Sequence, residues 1–446
     1  MYDRENIIDT GHNLRDKISM VRNSEKINLP ILQNWDCHVC GTCCKEYLVR
    51  LSEDEVAKIK SQNWDVNEDL GGYQPFRKTG LFKNKINLNH RPDGSCVFLG
   101  ENNLCKIHGK FGLDAKPLPC QVFPYVLIPT GNEWSVGVRY ACPSAAKNLG
   151  TSVLKQRDSI EEFKDKLIER EKFTITLAEN KVKPMLSSTQ DTSWEIIFSI
   201  RNKLTEMLKN GKQDIGHSLR CCIALSNELK STNLSKLGID QVKEFLDIFG
   251  KVTISDVPVD AFAVPSPNWV GRILFRQITA LFTRKDHGPN RGIANKGRIA
   301  LLKAAIQFAR GTGTVPKLNV WVSDTTFENI ESRRCELDEE SNELLKRYYL
   351  IKIESLQFFG ASNFGIPFWE GLNILLLTYP IIVWTSLAQS SQDPMVDKIQ
   401  RAISLVDDHF GFNKILGGLR QRYGFNLLAQ RKETEKLVAW YSRQSI

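Results

Sequence analysis

The chain has 446 residues, 41% of them hydrophobic and 25% charged, with a formal charge of +9. That composition supports a buried core and excludes disordered and collagen-like classes, and the length implies two or more domains. The mild basic excess, spread over this length, is a weak pointer to an anionic partner, and no interleaved aromatics support base stacking on nucleic acid.

Residues 1–34 read as a polar leader, helical in part from Asn13 to Arg22. No apolar segment follows the start, so no signal peptide is expected and the compartment is inferred to be reducing and cytoplasmic. There, clustered thiols are better explained by metal than by disulfides. Cys37, Cys40, Cys43 and Cys44 follow at once, four thiols within eight positions. Two residues separate each of the first three, a spacing that lets the backbone curl round one soft cation or one iron–sulfur cube. Gly41 lets that loop bend.

Downstream, Tyr47–Leu51 reads as a short strand, and Ser52 opens a helix through a capping box with Glu55, with Val56 and Ile59 on its apolar face. Gly71–Asn89 is turn-rich and basic. Gly94–His108 reads as two short strands joined at Glu101–Asn103, which sets Cys96 beside Cys105. Prolines crowd Cys120 between Pro117 and Pro124, so a rigid loop is expected there rather than regular helix. Val126–Ile128 and Trp134–Val138 form a hairpin, and Cys142 leads into a helix because Pro143 suits the first helical position. A boundary is placed at 150–157.

Beyond it the periodicity turns helical. Helices are expected over residues 159–172, 192–209, 215–230, 241–249, 269–282, 293–310, 338–359, 369–387, 396–409 and 434–442, with breaks at Gly211, Gly250, Gly311 and Pro394. Residues 368–388 have nearly the length of a bilayer span, but Glu370, Asn373 and Pro380 interrupt them, so a buried core helix is expected and no membrane span. The fold expected is therefore α+β: a small irregular cysteine-rich metal-binding module with short strands at 35–150, then a mostly α-helical domain at 151–446.

Eight of the eleven cysteines precede residue 143, and Cys37, Cys40, Cys43, Cys44, Cys96, Cys105, Cys120 and Cys142 form the candidate ligand set. Thiolates suit zinc and iron–sulfur clusters alike, so the sequence settles the sulfur and not the metal. Zinc modules usually carry two separated pairs, whereas the evenly stepped first block is closer to a ferredoxin-like run with a remote ligand. Eight thiols allow two four-sulfur sites, or one site with spare cysteines. His38 and His108 are read as surface or supporting residues, and Cys221, Cys222 and Cys335 as structural or incidental. Trp321, Trp369, Trp384 and Trp440 are assigned to the core. The basic stretch Arg284–Arg298 has the charge to take a phosphate or a carboxylate, but is read as a solvated loop.

The first cysteine block, the segment Gly94–Leu99 with Cys105, and Cys120 followed by Phe123 and Pro124 resemble the bacterial CxxCxxCC family, a zinc- or iron-chelating domain. Cys142, Pro143 and Ala146 extend the likeness toward the flagellin lysine N-methylase branch, which also continues into a long second half. The likeness covers roughly residues 35–148. It implies a cluster-binding protein, plausibly [4Fe-4S], that moves a methyl group from S-adenosylmethionine to a lysine of a flagellin-like protein partner. Two departures stand beside it: the methylase branch spaces its first cysteines differently, and no glycine-rich strand-to-helix turn for S-adenosylmethionine is present. The radical-enzyme spacing is absent as well. The competing expectations are a structural zinc module with a partner-binding helical domain, and a redox or metal-handling protein without group transfer.

Overall fold

The computed structural model describes residues 26–79, 85–131, 133–171, 183–211, 214–285 and 291–443. The expected leader helix and the middle of the basic loop lie outside them. The front of the chain is mixed and the rest largely helical, as the α+β reading expects.

In the front part, β1 (Lys26–Asn28) pairs in parallel with β5 (Glu133–Val138), and β5 pairs antiparallel with β4 (Tyr125–Thr130). The expected hairpin is therefore present, with a third strand at its edge. A second sheet joins β2 (Phe76–Thr79) to β3 (Lys85–Leu88). The helices here are short: α1 (Thr42–Glu46), α2 (Glu53–Ser61), α3 (Lys106–Phe111), α4 (Leu118–Val122) and α5 (Pro143–Ala146). At α2 both halves of the capping box form, Glu55 N donating to Ser52 Oγ and Ser52 N to Glu55 Oε2 at 2.8 Å. Cys142 N-caps α5 with Pro143 at its first position, where a missing N–H costs nothing.

Three local expectations are corrected. Tyr47–Leu51 is not a strand, because its pairing is limited to one bridge between Arg50 and Asn87. Cys96 and Cys105 are not carried on two paired strands; isolated bridges join His90 to Cys96 and Leu99 to Cys105, and Cys105 caps α3. Cys120 lies in a helical turn rather than an irregular loop, since Pro117 caps α4 and Pro119 falls in its first turn.

The helical part comprises α6 (Arg157–Glu171), a two-stranded ribbon of β6 (Met185–Ser187) and β7 (Gln190–Asp191), then α7 (Trp194–Asn210), α8 (Ile215–Ser231), α9 (Ile239–Asp256), α10 (Trp269–Thr283), α11 (Arg298–Arg310) and α12 (Phe327–Ser332). It continues with α13 (Glu339–Glu354), α14 (Phe368–Leu387), α15 (Met395–His409), α16 (Leu419–Gln430) and α17 (Glu433–Ser442). Side-chain caps start many of them: Ser193 for α7, Asp214 for α8, Asn268 for α10 and Asp338 for α13. Gly250 does not break the chain as expected but lies inside α9, where a methyl group would press on the Lys203 side chain crossing from α7. Neither α12 nor α16 was expected.

At the centre, α14 is buried on every side and packs against α15 and α17. By length and composition it could cross a membrane, yet 94% of its apolar window is covered by the rest of the protein. The hairpin strand β5 packs on α13, so Trp134, Val136 and Val138 share one continuous core with the helices. A smaller core sits apart under the cysteines, built from Leu51, Val56, Ile59, Leu70, Leu88, Val97, Phe98 and Ile107.

Candidate metal centre

The cysteine segments are stitched together by bonds donated from main-chain N–H groups. Cys96 N donates to Cys44 O at 2.8 Å, Lys106 N to Phe98 O at 2.8 Å, and Leu118 N to Glu55 Oε1 at 2.8 Å. Gly41, with φ at 67°, turns the first block back so tightly that a side chain there would touch Asn103. Arg91 holds the segment around Cys96 by donating to Val97 O at 2.9 Å and Leu99 O at 3.0 Å. At the other end of the block, Asp36 is anchored by Thr151 N at 2.7 Å, and Gly150 leaves no room for a side chain beside it.

These bonds bring Cys43, Cys44, Cys96, Cys105 and Cys120 onto the wall of one cavity of about 860 Å³. The remaining candidates are placed elsewhere. Cys37 and Cys40 are exposed, and Cys142 is buried close enough to Cys40 for their charges to interact. Cys221, Cys222 and Cys335 are buried in the helical part. The eight candidates thus divide into five that line a cavity and three, Cys37, Cys40 and Cys142, that do not.

Three of the cavity thiols, Cys43, Cys96 and Cys120, are pushed toward the protonated form. A sulfur–sulfur contact with Cys44, 3.9 Å away, and burial push the Cys43 thiol well up. Burial raises Cys96 to about 12 and Cys120 to about 12, while Lys116 works in the opposite sense on both Cys43 and Cys120. A cation among them would reverse that balance, since its charge favours thiolate far more than burial disfavours it.

Donor type and number fit a thiophilic ion or cluster: soft sulfur ligands from three separate segments, facing one space. Among the described residues no three His, Cys, Asp or Glu side chains already converge on a common point. Closing on a metal therefore requires the thiols to turn about χ1 within the cavity wall.

The opposite wall comes from the helical part and carries charge. Lys285, the second residue of the basic stretch, is not solvated as expected but buried between Glu46 of α1 at 3.2 Å and Asp408 at the end of α15 at 2.6 Å. Asp408 also pairs with Arg139 at 3.2 Å. Burial opposes its charge, but Lys285, Arg139 and His409 outweigh burial and hold its carboxyl below the usual range. The Arg139 guanidinium lies 3.8 Å from the centre of the Phe412 ring and 4.7 Å from that of Tyr47. One residue along, Asp407 pairs with Lys352 where neither side chain is exposed to solvent. These groups were invisible as a site in the sequence because they lie on four elements far apart in the chain.

Of the histidines, His38 and His108 are exposed, in keeping with their reading as surface residues. His90, which the spacing did not single out, lines the cavity beside the thiols. Burial and nearby Arg77 lower its pKa, which favours the neutral ring. Trp369 and Trp384 are buried as expected, whereas Trp440 is half-buried with Arg443 over its ring.

Residues 36–144 match the CxxCxxCC family model, described as "Putative zinc- or iron-chelating domain". The front of this chain is similar to a metal-chelating cysteine cluster. An uncharacterized protein of Methanocaldococcus jannaschii is 31% identical over 93 residues, which is 20% of this chain and 29% of that protein. The chain thus spans less than a third of that relative's length. No solved structure matches the chain. The likeness stops where the helical part begins, so zinc or iron chelation is supported for the cysteine segment and no specific activity for the whole.

Proposed function

We propose that the cysteine segment holds a working metal centre, an iron–sulfur cluster or zinc, that faces a ligand space shared with the helical part. The observation that carries this is the single cavity lined on one side by Cys43, Cys44, Cys96, Cys105 and Cys120 and on the other by Lys285, Arg139 and Asp408. A purely structural zinc is closed off by its own ligands, whereas a working centre keeps an open side. Here two of the three residues bounding the open side, Lys285 and Asp408, come from the helical part, which a self-contained module would not need.

Elemental analysis and an absorption spectrum of anaerobically purified protein test this. Broad visible absorption with iron supports a cluster, and colourless protein with stoichiometric zinc supports the zinc form. Cys120→Ser is expected to lower metal content sharply, and Cys335→Ser to leave it intact. Equal metal in both variants, or none in the parent protein, sinks the proposal.

The finer reading is methyl transfer from S-adenosylmethionine to a protein lysine. It is favoured by the cavity wall, where aromatic rings and carboxylates already hold two cationic side chains, Arg139 and Lys285. Such a wall suits a sulfonium and an amine. That chemistry requires a neutral amine in line with the methyl carbon: the N–C bond forms as the C–S bond breaks, the electron pair stays on sulfur, and the amine proton leaves to solvent. Labelled S-adenosylmethionine offered with candidate lysine-bearing proteins tests it. No label in lysine after exhaustive incubation with metal-replete protein removes methyl transfer while leaving the metal centre standing.

A further inference from the structure

We infer that His90 supplies a nitrogen ligand to the thiol centre, making it a mixed sulfur–imidazole site rather than an all-cysteine one. The inference rests on the proposed metal function and names a residue that the spacing of the cysteines does not point to.

Three observations converge on His90. It lines the same cavity as Cys44, Cys96 and Cys105. An antiparallel bridge pairs it with Cys96, so the two residues face each other across the turn that Asp93 and Gly94 make between them. Asp93 Oδ1 accepts from both Ser95 N and Ser95 Oγ, and Gly94 sits at φ 90°, which fixes the turn and hence the pairing. Finally, its Nε2 is shut away from solvent and has no hydrogen-bond partner among the described residues.

An imidazole nitrogen buried without a partner is costly, so such atoms in native proteins are usually satisfied by a protein group, water or ion. The residue that the main-chain pairing sets opposite it is a thiol, Cys96, a poor partner for a ring nitrogen. A borderline-soft cation held by those thiols would satisfy it, because imidazole and thiolate bind the same metals.

X-ray absorption at the edge of the metal found in the purified, metal-replete protein tests this without any variant. Expected is a nitrogen shell with the outer scattering pattern of a rigid imidazole, superimposed on a sulfur shell. His90→Ala should lose that pattern and weaken metal retention against a competing chelator about tenfold or more. His108→Ala, which alters an exposed ring in the same segment, should do neither. His90→Cys guards against misfolding: it should keep metal and exchange the nitrogen shell for sulfur. A parent protein whose metal has only sulfur neighbours, or an imidazole pattern that survives in His90→Ala, overturns the inference and leaves the thiol centre in place. Parent protein that binds no metal overturns the proposed function itself, so the two failures are distinguishable.

Discussion

The two cores of this protein are built differently. Beneath the cysteines lies a small apolar cluster, in which Phe98 and Val97 are among the few fully covered side chains, and its segments are short turns and bridges. Around α14 lies a continuous core of long capped helices that also takes in the hairpin. Apolar burial scales with area, so the second core is expected to stand on its own and the first to lean on the proposed metal centre. A small loop-rich region with many sulfurs is the kind that gains its stability from an inorganic centre. The contrast places the change from one core to the other at the cavity, not at a linker.

The largest test of that contrast is metal removal. Structural zinc in isolated peptides is worth roughly 10 kcal/mol of apparent binding free energy at neutral pH. Chelation under reducing conditions should therefore expose residues 36–123 to protease while the helices after α6 stay protected, which mass mapping of the fragments reads directly. Uniform protection after complete stripping would mean that the smaller core stands without metal.

Next in size is the pair that fastens the two regions from the helical side. Lys352 and Asp407 are wholly buried, and Lys352 Nζ also donates to Gln357 Oε1 at 2.9 Å. Removing one partner strands the other charge, so Lys352→Met should cost about 3–5 kcal/mol in denaturant unfolding. Asp407 N-terminally supports the cysteine side as well, accepting from Ala141 N at 3.2 Å. Metal content per folded molecule should nevertheless stay unchanged, which separates this effect from loss of the centre.

How far the sequence discloses this division follows from where each signal resides. Local chemistry is legible: the Ser52–Glu55 box, the proline after Cys142, and the hairpin are each written within a few residues. Most long helices are legible for the same reason. What escapes is decided by partners distant in sequence. Lys285 sits in a basic run that looks solvated, yet it is neutralised by Glu46 and Asp408. Gly250 looks like a stop, yet Lys203 lies over it. Prolines forbid a helix interior but permit the first turn, which is all that α4 has. At the site, five of eight nominated cysteines share the cavity, and His90 is missed because its relation to Cys96 runs across a turn rather than along a motif.

A smaller effect is expected where the two regions meet at Asp408. Its folded-state pKa is depressed, so its contribution is fully present above the unfolded carboxylate value, about 4, and is lost as pH falls through the lower folded value. Thermal stability should drop on acidification below about pH 4, and Asp408→Asn should flatten that drop. Because Lys285 keeps Glu46 as a partner, the variant should cost only about 2 kcal/mol at neutral pH.

The least disturbing change sharpens the contrast from the opposite side. Cys335 is buried, as Cys96 is, and burial likewise raises its thiol to about 12, but among the described residues the hydrogen-bond partner of its sulfur is Met395 Sδ, at 3.9 Å. If burial alone defined the cysteines of this protein, Cys335→Ser and Cys120→Ser would behave alike. On the division argued above, Cys335→Ser exchanges one small buried group for a slightly more polar one, costs about 1 kcal/mol, and leaves metal content and the protease map untouched. Cys120→Ser removes a ligand and should reproduce the map of the stripped protein. Matching maps for the two variants would show that the thiols around the cavity are packing residues, and the separation of the two cores would then rest on apolar area alone.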